Sequence, residues 1–120
     1  MGIFEDKVMK NQFASEIVYD QYRYTKTVGI IEEDKVMGTA TFAEPLGIIA
    51  GIAPVTNPTS TILFKALISL KTRNVIVISP HPRAPKSAIA AASVVRDAAV
   101  AAGAPKNCIL WITKPTIELS

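Results

Sequence analysis

The side chains best suited to chemistry in this 120-residue sequence lie in one loop, residues 53–58. Asn57 can direct its amide NH₂ group at a developing oxyanion, and Pro54 and Pro58 would supply the rigidity that such a donor needs. The more common role of such a residue is to cap a helix, here one that begins at Pro58, and the two roles need not exclude each other. Nearby hydroxyl groups would serve either as caps or as contacts to substrate or phosphate. These hydroxyls belong to Thr56, Thr59, Ser60 and Thr61.

Two further residues invite a functional interpretation, the only histidine and the only cysteine. His81 follows an apolar run; a single loop histidine is more often structural, but the carboxyl end of a strand favours ligand contact. Cys108 opens an apolar run with no acid–base partner beside it, which favours a buried structural thiol over a nucleophile. No second His, Cys or paired carboxylate stands at ligand spacing, so we expect no metal site.

Composition and charge narrow the function classes. The net charge is +3, and the thirteen Lys and Arg residues are scattered, which argues against a nucleic-acid-binding surface. The longest uncharged apolar run, residues 45–55, is about half of what a membrane span needs. With a single Cys and an acidic start, we expect a cytoplasmic protein. The sequence has neither the Gly-x-x-x-x-Gly-Lys nor the Gly-x-Gly-x-x-Gly phosphate-binding fingerprint.

The loop around Asn57 requires a sheet to position it. Continuous apolar runs at residues 46–52, 75–78 and 108–112 are typical of parallel strands that are buried on both faces. The segments between them predict helices that begin at Pro58 and Pro85. Crossovers of this kind make the strands parallel, with right-handed connections between them. In such sheets ligands bind at the carboxyl ends of the strands.

The sequence also predicts which face of each helix is buried and where each helix ends. The first is expected to run to about Thr72, with Leu63, Ala66, Leu67 and Leu70 on one face and Asn74 as a left-handed terminator. The second presents a stripe of small residues to the sheet and stops at Gly103. That stripe comprises Ala88, Ala91, Ala92, Val95, Ala98, Ala99 and Ala102.

The first 43 residues predict a helix and a hairpin. Residues 5–24 are amphipathic, and we expect a packing helix without chemistry. Its apolar face would comprise Met9, Phe13, Ile17 and Tyr24. Two β-rich runs, 27–31 and 36–42, flank a charged loop at 32–35, which is typical of a hairpin. A lone hairpin is marginal in water, so we expect it to serve as an arm for another domain or subunit.

The predicted fold class is therefore α/β, a partial Rossmann-like parallel sheet (βαβαβ) preceded by a helix and a β-hairpin. Residues 1–43 would form the helix and hairpin arm, and residues 44–120 a partial dinucleotide-binding domain. Three strands leave an open apolar edge. Residues 117–120 resemble the start of a further helix or turn, so we expect this chain to be part of a longer one.

The loops resemble a known family. Residues 44–61, with Ala53-Pro54-Val55-Thr56-Asn57-Pro58 at their centre, are similar to the aldehyde dehydrogenase superfamily and, within it, to the CoA-acylating members. Residues 64–74 and the sequence Ser79-Pro80-His81-Pro82-Arg83-Ala84 most resemble the bifunctional aldehyde–alcohol dehydrogenases. Residues 2–8 and 103–106 also fit, so the resemblance spans essentially the whole chain.

The resemblance implies an NAD-dependent interconversion of a small aldehyde and an acyl-CoA, with CoA as co-substrate. Asn57 matches the oxyanion-stabilising asparagine, and His81 lies in the region near the adenosine ribose. The segment that runs along the bound dinucleotide comprises Ile52, Ala53, Pro54, Val55, Thr56 and Asn57. The hairpin resembles part of an oligomerisation arm, which implies a homo-oligomer or filament.

The family's cysteine nucleophile lies downstream of the matched region, and Cys108 does not occupy its position. We therefore expect the chain to be inactive alone. The alternative is a non-catalytic nucleotide-binding or assembly module that uses this half-sheet by itself.

Overall fold

The computed structural model describes residues 3–116, and it begins with a long helical segment. An α-helix, α1 (Phe4–Gln12), passes through a π-helical stretch (Phe13–Ile17) into α2 (Val18–Tyr22). The predicted helix is confirmed, but its predicted packing face is wrong. The π-helical stretch changes the angular phase of the segment. Its contact with the rest of the chain is centred on Ala14, whereas the four large apolar residues of the predicted face stay largely exposed.

The hairpin is present, but its turn lies further along the chain than predicted. Strand β1 (Gly29–Asp34) pairs antiparallel with β2 (Thr39–Ala43), so the turn spans residues 35–38 rather than 32–35. Asp34 Oδ1 accepts hydrogen bonds from the backbone N–H groups of Val36 (2.9 Å) and Met37 (3.0 Å). This local side-chain capping stabilises the turn after Asp34, so the charged residues before it remain in the strand.

The parallel sheet follows the prediction closely. Its strands are β3 (Ile48–Ile52), β4 (Val75–Ser79) and β5 (Ile109–Trp111), in spatial order β3-β4-β5 and all parallel. The connecting helices, α3 (Pro58–Lys71) and α4 (Pro85–Ala101), both begin at the predicted prolines. A Pro at the first helical position wastes no N–H group, which explains why the two starts were predictable. No helix within residues 3–116 is long and apolar enough to cross a bilayer.

The core lies on one face of this sheet. Helices α3 and α4 contact each other and the strands, and they cover Ile76, Ile78 and Ile109. The opposite face is open, with Ile48 76% exposed. The prediction that all three strands are buried on both faces is therefore wrong within this chain, because both crossover helices lie on the same side.

The buried faces of the two helices were predicted in part. In α3 the buried residues are Ile62, Ala66 and Ser69, with Leu63 and Leu70 packed at the margin of the core. In α4 they are Ala88, Ala92 and Val95, again with Ala91 and Ala99 at the margin. The far end of the predicted stripe, Ala98 and Ala102, is exposed.

The link from α3 to β4 corrects one prediction. The left-handed residue is Arg73, with φ of 58°, and not Asn74. Asn74 is instead buried, and its side chain bridges two elements: Oδ1 accepts from the N–H of Gly47, and Nδ2 donates to both oxygens of Thr72. Gly103 does end α4 in the left-handed region, with φ of 101°. The helix or turn expected at residues 117–120 lies outside the described residues.

Candidate functional site

The candidate site lies where β3 and β4 end. The backbone N–H of Ala53 donates to the carbonyl of Ser79 at 3.0 Å, which holds the loop 53–58 beside the loop 79–83. On the other side of β4, the N–H of Ile112 donates to the carbonyl of Ile78 at 2.9 Å. The carboxyl ends of all three strands therefore share one edge of the sheet, as predicted, and this is the edge where ligands bind in such sheets.

The segment predicted to follow the dinucleotide is mostly accessible. Ile52, Pro54, Val55 and Thr56 are exposed, whereas Ala53 is buried with its methyl group in the core. Ala53 is only 1% exposed and its N–H is bonded to Ser79, so it presents almost no surface to a ligand in this structure. The prediction that this segment binds a cofactor remains a prediction, and the exposed residues beside β4 are compatible with it.

Asn57 occupies the N-cap position of α3, but its side chain does not cap the helix. Its Oδ1 instead accepts hydrogen bonds from the ammonium groups of Lys7 (3.1 Å) and Lys10 (3.3 Å). The side-chain capping that the sequence favoured for Asn57 is thus absent. Within residues 3–116, the Nδ2 group of Asn57 has no hydrogen-bond acceptor. The half-buried amide keeps its two donors for another partner.

Sequence reasoning missed the residues that hold this loop, because it assigned no chemistry to the first helix. Lys7, Lys10 and Asn11 follow an i, i+3, i+4 spacing and so share one face of α1. Lys7 also donates to the carbonyl of Thr56 at 2.6 Å. The hydroxyl of Thr59 donates to Asn11 Oδ1 at 2.8 Å, so this hydroxyl ties two helices together. The polar spacing was the signal available in the sequence.

A small open cavity of about 370 Å³ adjoins Asn57. Ser60 and Thr61, two of the hydroxyl residues singled out from the sequence, lie on its wall with Lys10 and Phe64. The lining of the cavity therefore combines apolar side chains with an amide, two hydroxyl groups and an ammonium group.

His81 is half-buried, and its backbone and side chain both stabilise the turn at the start of α4. Its Nδ1 accepts from the N–H of Arg83 at 3.1 Å, and its carbonyl accepts from the N–H of Ala84 at 2.9 Å. With Nδ1 as acceptor, the neutral imidazole carries its proton on Nε2. The structural interpretation of His81 is thus supported, and Nε2 takes no part in this turn.

Cys108 is buried, with 4% of its surface exposed. Its carbonyl accepts from the N–H of Ile76 at 3.1 Å, which places it beside the amino end of β4. The Ala53–Ser79 contact marks the opposite end of that strand. The only thiol of the chain is therefore at the wrong edge of the sheet to serve Asn57.

Comparison with known proteins identifies the family of this chain. The model of the aldehyde dehydrogenase family matches residues 9–118, which is most of the chain. The chain belongs to the aldehyde dehydrogenase family. Over all 120 residues this aldehyde dehydrogenase chain is 61% identical to the bifunctional aldehyde-alcohol dehydrogenase of Escherichia coli, and it spans 14% of the length of that relative.

Solved structures extend the comparison. An acetylating aldehyde dehydrogenase from Geobacillus thermoglucosidasius is 52% identical with a TM-score of 0.95, over 98% of this chain and 26% of that one. An engineered glycolyl-CoA reductase with bound NADP⁺ is 32% identical with a TM-score of 0.77, again over 98% of this chain and 26% of that one. The predicted fold class, a partial parallel α/β sheet after a helix and a hairpin, is confirmed by these neighbours.

Proposed function

We propose that this chain contributes the oxyanion donor and part of the cofactor shelf to a CoA-acylating, NAD-dependent aldehyde dehydrogenase. The reaction would interconvert a small aldehyde and an acyl-CoA. The observation that carries the proposal is the Asn57 amide, whose oxygen is occupied and whose two donors are available at the ligand edge of the sheet. Relatives named as acetylating or as acting on an acyl-CoA support the same reaction class.

The proposed step that Asn57 assists is the attack of a thiolate on the aldehyde. A carbon–sulfur bond forms, and the π electrons of the carbonyl move to oxygen, giving an alkoxide. The Nδ2–H group of Asn57 would donate to this alkoxide, where negative charge develops. A donor fixed in this way before the reaction needs no reorganisation, which is why it lowers the barrier.

The dinucleotide would lie along Ile52 to Asn57, with His81 Nε2 near the adenosine ribose. A bound NAD would supply the hydride acceptor for the substrate carbon, so that the alkoxide electrons could re-form the carbonyl. The fit rests on the exposed surface of the loop 53–58 beside the loop 79–83. The hydroxyl of Thr56 is the side-chain group that this shelf would offer to a ribose.

The attacking thiolate would come from outside this chain, since Cys108 is buried at the other edge of the sheet. The thioester that results would transfer its acyl group to the thiol of CoA, which releases the thiolate. We therefore propose that the isolated chain lacks the activity. The buried thiol is also compatible with the alternative function, a non-catalytic nucleotide-binding or assembly module.

We further propose that residues 44–120 belong to the dinucleotide-binding domain and residues 1–43 to an arm. Both strands of the hairpin are exposed along their length, which suits contact with a second subunit. The helical segment of this arm packs on α3, so the projecting part is the hairpin. In the complete protein the hairpin would join copies into a homo-oligomer or filament.

The test uses a chimera in which this chain replaces the matching 120 residues of the Escherichia coli relative. We expect the chimera to form NADH from NAD, acetaldehyde and CoA, and Asn57→Ala to lower kcat by about 10²–10³-fold. Asn107→Ala, at an exposed asparagine, is the matched control and should leave kcat unchanged. An Asn57→Ala chimera with normal kcat would refute the proposed role.

The isolated chain separates the two candidate functions. Under the main proposal it neither turns over acetaldehyde nor binds NAD tightly in calorimetry. Saturable NAD binding by the monodisperse chain, with no activity in the chimera, would establish the binding-module alternative instead.

A further inference from the structure

We propose that Lys7, assisted by Lys10, is a positioning residue that fixes which way the Asn57 amide faces. The inference rests on the proposed function, because it concerns how the oxyanion donor is oriented. It starts from the contacts of α1 with a loop about fifty residues later in the chain.

The chemistry of a lysine ammonium and an asparagine amide allows only one arrangement of the two groups. A lysine ammonium carries three donors and no acceptor, so only the oxygen of an amide can face it. Lys7 Nζ lies 3.1 Å and Lys10 Nζ 3.3 Å from Asn57 Oδ1. Turning the amide by 180° would put its NH₂ group against two cations and lose both hydrogen bonds. The lysines therefore select one of the two orientations that an asparagine amide otherwise adopts with little preference.

The loop itself is anchored to α1. Lys7 also donates to the Thr56 carbonyl at 2.6 Å, so one ammonium group holds the backbone and the side chain of consecutive residues. The Thr59–Asn11 hydrogen bond of 2.8 Å secures the start of α3, directly after the loop, to the same helix face. Lys7 is half-buried and Lys10 exposed, so Lys7 is the less screened of the two cations.

The ammonium groups also affect how strongly Asn57 can donate to a developing alkoxide. With the oxygen held by ammonium groups, the Nδ2–H donors point away from α1. Hydrogen bonds in a chain polarise one another, so a cation at Oδ1 makes the N–H group a stronger donor. The gain is largest when the acceptor is an alkoxide, because charge-assisted hydrogen bonds are the strong ones. Loss of Lys7 should therefore slow the chemical step more than it weakens substrate binding.

Nuclear magnetic resonance of the isotopically labelled 120-residue chain tests the orientation without any chemistry. The side-chain amide signals of Asn57 are assigned by their loss in Asn57→Asp. We expect Lys7→Met with Lys10→Met to shift or broaden these signals while backbone signals of α3 stay in place. Lys71→Met is the matched control, since Lys71 also ties α3 to the N-terminal segment, through the Arg23 carbonyl at 2.8 Å.

Kinetics of the chimera test the consequence. Lys7→Met should lower kcat by about tenfold to a hundredfold, the size expected when a catalytic group is misplaced. The KM for acetaldehyde should change little. Lys7→Arg, which keeps a donor-only cation, should recover most of the rate, whereas Lys7→Gln, whose amide can also accept, should not. Lys71→Met should leave kcat within twofold of the parent.

The outcomes separate the two proposals. If Asn57→Ala lowers kcat but Lys7→Met and its double variant do not, the positioning role is wrong and the oxyanion role stands. If Asn57→Ala has no effect on kcat, the proposed function fails, while the amide signals still report whether the lysines orient Asn57. Unmoved Asn57 amide signals in the double methionine variant overturn the positioning role in either case.

Discussion

Asn74 Oδ1 accepts a hydrogen bond of 2.8 Å from the backbone N–H of Gly47, 27 positions earlier in the chain. The Gly47 carbonyl in turn accepts from the N–H of Val75 at 2.9 Å. One buried asparagine thus joins the end of α3 to the start of β3. Because β3 carries the candidate site at its other end, this link sets the position of the loop that holds Asn57.

We expect Asn74→Ala to destabilise the chain by about 1–3 kcal/mol, because it removes the side-chain partner of the Gly47 N–H and of the Thr72 carbonyl. Asn74 is only 6% exposed, so water cannot readily replace the lost group. Urea unfolding followed by circular dichroism measures the effect. Asn107→Ala, at an exposed position, should change stability by less than about 0.5 kcal/mol. Equal effects of the two substitutions would contradict the bridging role.

Gly51 lies in β3 where a side chain would collide with the core. A Cβ atom there would meet Ile76 Cδ1 at 2.8 Å and Cγ1 at 3.1 Å. Because Ile76 is fully buried, we expect Gly51→Ala to cost about 1–3 kcal/mol by overpacking. Ile76→Val alone should cost about 0.5–1.5 kcal/mol through the lost methyl group.

The double variant of these two positions provides the control. Removing Cδ1 makes room for the new methyl group. The double variant should therefore be less destabilised than the sum of the two single variants, by at least about 0.5 kcal/mol. The double-mutant cycle is measured by urea unfolding. Strict additivity would show that the contact between positions 51 and 76 does not limit the substitution.

The parallel sheet was predictable because its signals are local and redundant. Each helix starts at a proline, Pro58 or Pro85, and each strand is an uninterrupted apolar run. The position of the hairpin turn was predicted wrongly because the composition of residues 32–35 suggested a turn. The deciding interaction, Asp34 with the N–H groups that follow it, depends on geometry that charge alone does not reveal.

Of the candidate site, the loop was predictable from the sequence, but the residues of α1 that hold it were not. The rigid loop around Asn57 pointed to an oriented amide. The sequence did not reveal whether that amide would cap α3 or bind lysine side chains. Which face of α1 meets the loop depends on packing between segments 47 to 50 residues apart. Sequence periodicity gave the apolar face as the contact, and the π-helical stretch made that inference wrong.

Arg73 offers a stabilising substitution. It is exposed and adopts φ of 58°, a conformation that costs an L-residue roughly 1–2 kcal/mol relative to glycine. We expect Arg73→Gly to raise the free energy of unfolding by about 0.5–1 kcal/mol after the entropy of glycine in the unfolded chain is deducted. Arg73→Ala keeps the strained conformation and should not stabilise. Stabilisation by both variants would point to the lost guanidinium rather than to the backbone.

Cys108 should behave as a buried packing residue and not as a nucleophile. Its thiol is covered beside Ile76 at the amino edge of the sheet, so a thiol reagent can reach it only when the chain opens. We expect labelling by such a reagent to be slow in buffer and fast in urea, with the native rate following the unfolding equilibrium. In the chimera, Cys108→Ala should leave kcat unchanged, because the proposed function takes the attacking thiolate from outside these 120 residues. Fast labelling of the folded chain, or loss of turnover in Cys108→Ala at unchanged folding, would place the nucleophile within these 120 residues and overturn that part of the proposed mechanism.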